Sequence, residues 1–299
     1  MKTMKQNICA VLAAFIWGSA FVAQDKCTDF IGPFTVNALR GIIAFAVLLV
    51  IVLIGRKTGF ISKQKNIKKY NKRLLFGGVC CGIALAAASN LQQAGIGDSG
   101  PGKSAFITAM YVVIVPLLGL FFRKKASFNV WMGVAVSVVG FYFLCLYGEG
   151  FKLATSDLLI LFCAVIFAVH ILIIDSFGDV NGIELSCVQF AVVSIVSTIC
   201  MFIFEKPEIE NIIQCILPIL YVGIFSSGVA YTLQIIAIKG ANPTVITLLL
   251  SLESVFALFV EKIIPGASEG PMMWWEILGC VLIFGAVMIS QVQFKKKNV

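Results

Sequence analysis

Charge is what this chain has least of: Asp, Glu, Lys and Arg make up 13% of its 299 residues, against 60% that are hydrophobic. A soluble domain of that length covers its surface with roughly 25% charged residues, so a water-soluble globule is excluded. Histidine is nearly missing as well. With His170 alone, a zinc centre of two cysteines and two histidines is short of a nitrogen ligand and no His/Cys zinc site is expected, and a lipid-processing enzyme built on clustered His and carboxylate groups lacks its acid–base chemistry. The ten cysteines include no C-x-x-C pair, and Cys80, Cys81, Cys163, Cys200 and Cys280 lie inside apolar runs. That is the pattern of small apolar fillers that stay thiols rather than of a disulfide, metal or redox framework. No A-x-A cleavage site follows the apolar stretch after Lys2 and Lys5, so a retained first helix is expected there and not a removed signal peptide.

What the chain has is long apolar runs. About 20 apolar residues in a helix cross a hydrocarbon core of about 30 Å, and ten such spans are expected at 7–24, 34–54, 73–93, 102–122, 128–147, 156–175, 184–204, 214–236, 243–264 and 274–292. Short connections separate them, marked by Gly32-Pro33, Gly100-Pro101-Gly102, Gly148-Glu149-Gly150, Lys206-Pro207, Asn242-Pro243 and Pro265-Gly266. No room is left for a soluble domain. The net charge of +8 sits in the loops, so it reports orientation in a bilayer and not nucleic-acid binding. With the N-terminus cytoplasmic, 17 of the 23 Lys and Arg fall in cytoplasmic segments, five in outer loops and one, Arg40, inside a span. Both termini are therefore expected in the cytoplasm of a multi-pass cell-membrane protein. The basic stretch from Arg56 to Arg73 is expected against the headgroups.

The two halves resemble one another. Gln92 and Gln234 each stand nine residues before a proline, Pro101 and Pro243, that opens the next helix. Gly133 and Gly140 in the fifth span, and Gly279 and Ala286 in the tenth, repeat small residues at seven-residue spacing, as Ala10, Ala14 and Gly18 do at shorter spacing in the first. Such strips allow close helix approach in a membrane. Five spans per half is an odd number, so the second copy enters the membrane from the opposite side. The expected architecture is an all-α membrane protein of ten transmembrane helices, two inverted five-helix repeats at 1–150 and 151–299. In transporters of this construction the substrate site lies near the midplane between the repeats.

Phe15-Ile16-Trp17-Gly18, the run Gly102 to Pro116 (GKSAFITAMYVVIVP) and Leu252-Glu253-Ser254-Val255-Phe256-Ala257 are similar to EamA-type members of the drug/metabolite transporter superfamily, over nearly the whole chain. The resemblance implies ten helices, a central cavity, and export of amino acids or other metabolites. The stretch Glu261 to Met273 is a few residues longer than the family's short Gly-Glu turn.

Gly97 to Ser104 matches the phosphate-loop pattern G-x-x-x-x-G-K-[ST] in full. That motif needs a preceding strand and a βαβ setting. Here it joins two membrane helices, where its glycines and proline shape a turn. Glu253, near the middle of the ninth span, is a costly group in hydrocarbon and a candidate for proton coupling, or a structural acid bonded to a neighbouring helix. On a continuous helix it points about 100° away from the face of Thr247, Ser251 and Ser254. His170 is a second candidate for coupling, or a hydrogen-bonded core residue. Arg40, about two turns inside the outer end of its span, suits a substrate carboxylate, a snorkelling contact or a neighbouring partner equally. The polar stripes complete the candidate substrate site: Trp17, Arg40, Asn90, Gln93, Thr108, Tyr111, Tyr231 and Gln234, against the alternative of interhelical hydrogen bonds worth on the order of 0.6 kcal/mol each. An aromatic and neutral lining suits a small amphiphilic metabolite. No cofactor, metal, nucleic-acid partner or covalent chemistry is expected, and a non-coupled facilitator or scramblase on the same scaffold is the alternative to an alternating-access carrier.

Overall fold

The computed structural model describes residues 2–61, 66–121, 126–145, 147, 154–264 and 271–291, and among them there is no strand. Among the described residues ten apolar helices follow one another: α1 (Lys2–Thr28), α2 (Pro33–Thr58), α3 (Ile67–Ser99), α4 (Pro101–Phe121), α5 (Phe128–Cys145), α6 (Thr155–Ser176), α7 (Gly182–Phe204), α8 (Ile216–Ile238), α9 (Pro243–Ile263) and α10 (Trp274–Gln291). Nine of them are long and apolar enough to cross a membrane; the apolar stretch of α5, Phe128–Leu144, is a little shorter. A short helix, Ile209–Gln214, precedes α8. Each helix falls on an expected span. The expected turns at Gly148-Glu149-Gly150 and Pro265-Gly266, and the lysines of the C-terminal tail, lie outside the described residues.

The starts and stops follow from local chemistry. Pro33, Pro101 and Pro243 open α2, α4 and α9, where a missing N–H costs nothing. Asn66, Asn181 and Asn242 cap α3, α7 and α9 by accepting backbone N–H groups. Gly100 adopts φ +74°, a conformation that suits glycine, and so ends α3 and starts α4 within one residue. At 33 residues α3 is about 50 Å long and overhangs its expected span at both ends. The overhang near residue 70 belongs to an interhelical network described below.

Packing reproduces the repeat. α1 lies against α8 and α9, and its counterpart α6 lies against α3 and α4. Three counterpart pairs also meet one another, and each runs antiparallel. In α2 and α7, Glu205 meets Phe34 at one end, Arg56 meets Glu184 at the other, and Gly41 meets Ser194 between them. In α4 and α9, Tyr111 meets Glu253 and Gly102 meets Glu261. In α5 and α10, a Cβ at Gly133 would stand 2.8 Å from the Ala286 carbonyl, and one at Gly140 3.0 Å from the Gly279 carbonyl. The small residues at seven-residue spacing therefore pack on each other. Equivalent helices that point in opposite directions are the signature of an inverted repeat. One apolar core runs through both halves, while Phe121, Phe202, Ile203 and Leu217 stand on the outside as a lipid-facing surface.

Candidate functional site: a polar cavity between the repeats

Two helices are interrupted where they pass the centre. α4 breaks at Met110 and α9 at Ser251, each by a tighter turn. In α8 the stretch Val222–Ala230 is a π-helix, whose wider i→i+5 turn rotates neighbouring residues less about the axis. Ser226 and Ser227 consequently both face α2. The strip of small residues on α1 brings that helix against α9: Ala10 and Ala14 are fully buried, and a Cβ at Gly18 would stand 2.7 Å from the Glu253 carbonyl.

These elements enclose a cavity lined by Trp17, Phe21, Gln24, Arg40, Gln92, Thr108, Tyr111, Phe167, Ser226, Tyr231 and Glu253. Arg40 donates from Nη1 to Gln24 Oε1 at 2.7 Å and from Nε to Ser227 Oγ at 2.8 Å. Tyr111 Oη donates to Glu253 Oε1 at 2.9 Å, and Gln92 Nε2 to Thr108 Oγ1 at 3.1 Å. The Trp17 indole donates to the Ser226 carbonyl at 3.2 Å and its ring packs edge-on against Tyr231, 4.8 Å between centroids. The enclosed space is about 20 Å³, room for about one water molecule and too little for an amino acid.

Of the expected site residues, Trp17, Arg40, Thr108, Tyr111, Tyr231 and Glu253 line this cavity. Gln93 is not part of this lining: its amide donates to the Gln24 carbonyl at 3.0 Å, and it lines a separate vestibule of about 510 Å³ with Asp29, Gly32 and Asp98. Three residues are elsewhere. Asn90 points at α7 and donates to Ser197 Oγ at 3.1 Å. Gln234, the counterpart of Gln92, is buried away from the cavity lining. His170 bonds Gln189 Oε1 at 3.1 Å behind the Tyr231 ring. The His170–Gln189 pair joins α6 to α7 as the Gln24–Arg40 pair joins α1 to α2, so the second half repeats the polar link without its charge.

Glu253 does not take the direction that a continuous helix would give it. The break at Ser251 re-phases α9, and Glu253 turns into the cavity. The hydroxyls of Thr247, Ser251 and Ser254 instead fold back onto carbonyls three residues earlier. Gln24, Phe21, Phe167 and Ser226 are cavity residues the sequence did not mark. Gln24 stands beside Asp25 and Lys26 and reads as a helix end, and the two phenylalanines read as core.

The end of the molecule that carries the basic loops is closed by polar links. Arg56 reaches Glu184 at 2.6 Å, Tyr70 bonds the same carboxylate, and Gln6 donates to the Lys239 carbonyl at 2.6 Å. Arg73 meets Asp179 at 2.5 Å, and that guanidinium holds the Asp179 carboxyl below its usual range. At the opposite end, Lys103 and Ser99 hold Asp157 at 2.7 and 2.8 Å. The residues of the phosphate-loop lookalike thus fasten α3 and α4 to α6. Among the described residues no group of three or more His, Cys, Asp or Glu is arranged to hold a metal ion.

A profile of the EamA-like transporter family matches residues 4–146 and again 154–291. The chain belongs to the EamA-like transporter family. This EamA-like protein is 28% identical over 293 residues to an uncharacterized transporter of Archaeoglobus fulgidus, covering 97% of this chain and 84% of the relative. A second uncharacterized transporter of that organism is 23% identical over 137 residues, 46% of each chain. A crystal structure of another protein superposes on 96% of both chains with a TM-score of 0.73 at 18% identity, a likeness of fold alone. The chain is accordingly an integral membrane protein of the transporter class, with two repeats of apolar helices.

Proposed function

We propose that this EamA-like protein is a secondary transporter that exports a small metabolite such as an amino acid by alternating access. Residues 1–150 and 151–299 act as its two moving halves, in a cell membrane, with both termini cytoplasmic. One observation carries the reading: the central cavity takes its cation, Arg40, from the first half and its carboxyl group, Glu253, from the second. Any relative motion of the halves therefore opens or closes the cavity. In the present state the cavity is too small for a load, the basic end is fastened by Arg56 and Glu184, and a vestibule reaches Gln93 from the other side. That arrangement fits a carrier between loading events with its outer side the less tightly closed. Glu253, held by Tyr111, is the candidate coupling group.

The test is counterflow in proteoliposomes across a panel of amino acids and related metabolites, with and without a pH gradient. Saturable, load-specific exchange is expected. Flux that rises linearly with concentration and does not saturate would instead indicate a facilitator or scramblase.

A further inference from the structure

Arg40 is a buried cation among neutral groups. It is 3% exposed, and its donors go to Gln24 Oε1 and Ser227 Oγ, with Ser226 Oγ at 3.5 Å. No carboxylate among the described residues pairs with it. A desolvated charge without a counter-charge costs several kcal/mol, and a guanidinium is shaped to receive a carboxylate with two parallel hydrogen bonds. The one acid in the same cavity, Glu253, bonds Tyr111 instead. The cavity thus holds one permanent positive charge and one titratable carboxyl at separate places, with Tyr231 in electrostatic reach of both.

We propose that Arg40 is the docking group for a carboxylate on the transported molecule, and that the cavity admits loads whose charge it can balance. A monocarboxylate enters together with one proton that settles on Glu253; a zwitterion enters alone, its ammonium facing the ionised Glu253. This rests on the transporter reading and adds to it the charge class of the load.

The balance follows from electrostatics at low dielectric. Unloaded, Arg40 and an ionised Glu253 sum to zero. A carboxylate added at Arg40 leaves one unbalanced negative charge, which a proton on a Glu253 oxygen removes. On release to the other side the carboxylate and that proton leave together, and no net charge has moved. A zwitterion brings its own positive group, so no proton is needed. The ionisable groups facing Glu253 from neighbouring helices are Tyr111 on α4, Cys163 on α6 and Tyr231 on α8. α1 presents the Gly18 backbone, α2 contributes Arg40 across the cavity, and Glu261 and Lys262 of α9 itself lie two turns further out. A phenol and a thiol are weaker acids than a carboxylic acid, so the balancing proton belongs to Glu253.

The experiment is calorimetric titration of the full-length protein in nanodiscs at pH 8.5, in two buffers of different ionisation enthalpy, so that Glu253 can start ionised before the load arrives. The probes are C3 to C6 monocarboxylates, the α-amino acids of the same skeletons, and the matching amines. Expected are binding of acids and amino acids but not amines, one proton taken up per monocarboxylate, and none per amino acid. Arg40→Gln should weaken both classes at least tenfold, with Arg40→Lys, which keeps the charge, recovering part of the loss. Glu253→Gln, which leaves Arg40 in place, should bind monocarboxylates with no proton uptake. Binding of amines in place of acids, no binding by any acid or amino acid, wild-type affinity in Arg40→Gln, or unchanged proton uptake in Glu253→Gln would each overturn the proposal. Counterflow separates this from the transporter reading. Carboxylate binding without saturable flux keeps the Arg40 site and removes the carrier; saturable flux of amines alone does the reverse.

Discussion

Tyr111 and Glu253 stand ten residues beyond equivalent prolines, Pro101 and Pro243, and they meet each other: the phenol of one half donates to the carboxylate of the other at 2.9 Å. The same position in the two repeats has become a donor in one and an acceptor in the other. A symmetric scaffold thereby acquires one acid at its centre in place of two, and avoids a repulsive carboxylate pair.

The first prediction concerns that bond. A hydrogen bond to a charged group is worth about 1.5–3 kcal/mol, so Tyr111→Phe should leave Glu253 without its donor and slow exchange by roughly 10- to 100-fold. Glu253→Gln should do something different. With Glu253 as the coupling group, pH-gradient-driven accumulation of a monocarboxylate is lost while its counterflow between equal proton concentrations persists. Intact gradient-driven transport in Glu253→Gln would remove the coupling role.

A second prediction tests the antiparallel pair α5 and α10. A Cβ at Gly279 would stand 2.7 Å from the Gly140 carbonyl oxygen and from the Leu144 amide nitrogen. These are backbone atoms that cannot swing aside, and overpacking of this kind costs about 1–3 kcal/mol. Gly279→Leu should lower the thermal midpoint of the purified protein by several degrees. Gly285→Leu in the same helix, where nothing lies within 4 Å of the added carbon, should leave it near wild type. Equal melting of the two variants would mean the close approach is absent in solution.

What was legible in the sequence divides along physical lines. A membrane span announces itself by length and apolarity alone, so the helices were readable from composition. The inverted repeat was readable too, because the Gln-to-Pro spacing and the paired small residues are local patterns. The cavity was harder. Facing is computed from regular helical phase, and the site is built where the phase breaks: at Met110, at Ser251 and along Val222–Ala230. That is why Glu253 faces the cavity, why Ser226 carries no mark in the sequence, and why Gln234 does not occupy the place its counterpart Gln92 does. Polarity also marks interhelical links and cavity walls alike, and so Asn90 and His170 looked the same as Thr108 before the partners were known.

A third prediction follows from the Trp17 indole. It is held at both faces of its role: its N–H bonds the Ser226 carbonyl at 3.2 Å, and its ring packs on Tyr231. Trp17→Phe keeps an aromatic ring and removes the donor, leaving a buried carbonyl short of a partner at a cost of about 1–3 kcal/mol. The expected result is weaker load binding with folding retained, measured as a higher half-saturation concentration in counterflow. Half-saturation equal to wild type would show that the indole N–H does not position the π-helical turn.

The last prediction concerns the basic end. Glu184 is nearly fully buried and receives both Arg56, at 2.6 Å, and the Tyr70 hydroxyl. It also lies in the first turn of α7, where the helix dipole favours a negative charge. Neutralising it removes the ion pair with Arg56 and the attraction of the helix dipole, and leaves Tyr70 only a neutral, weaker acceptor, so α2, α3 and α7 are held less firmly at this end. The neighbouring Arg73–Asp179 pair differs in kind. Its side chains are 44% and 57% exposed, and exposed pairs contribute little. Because Arg73 depresses the Asp179 carboxyl, its small contribution is fully present above the ordinary carboxylate range and is lost only as pH falls through the depressed value, so it stays intact at neutral pH. Cys187, buried and one turn from Glu184, is a native reporter of opening at this end. Glu184→Gln should raise maleimide labelling of Cys187, read by peptide mass spectrometry, several-fold over wild type, whereas Asp179→Asn should change it little. Equal labelling in Glu184→Gln and wild type would mean that this ion pair does not hold the basic end shut, and that the closure must come from the apolar packing above it.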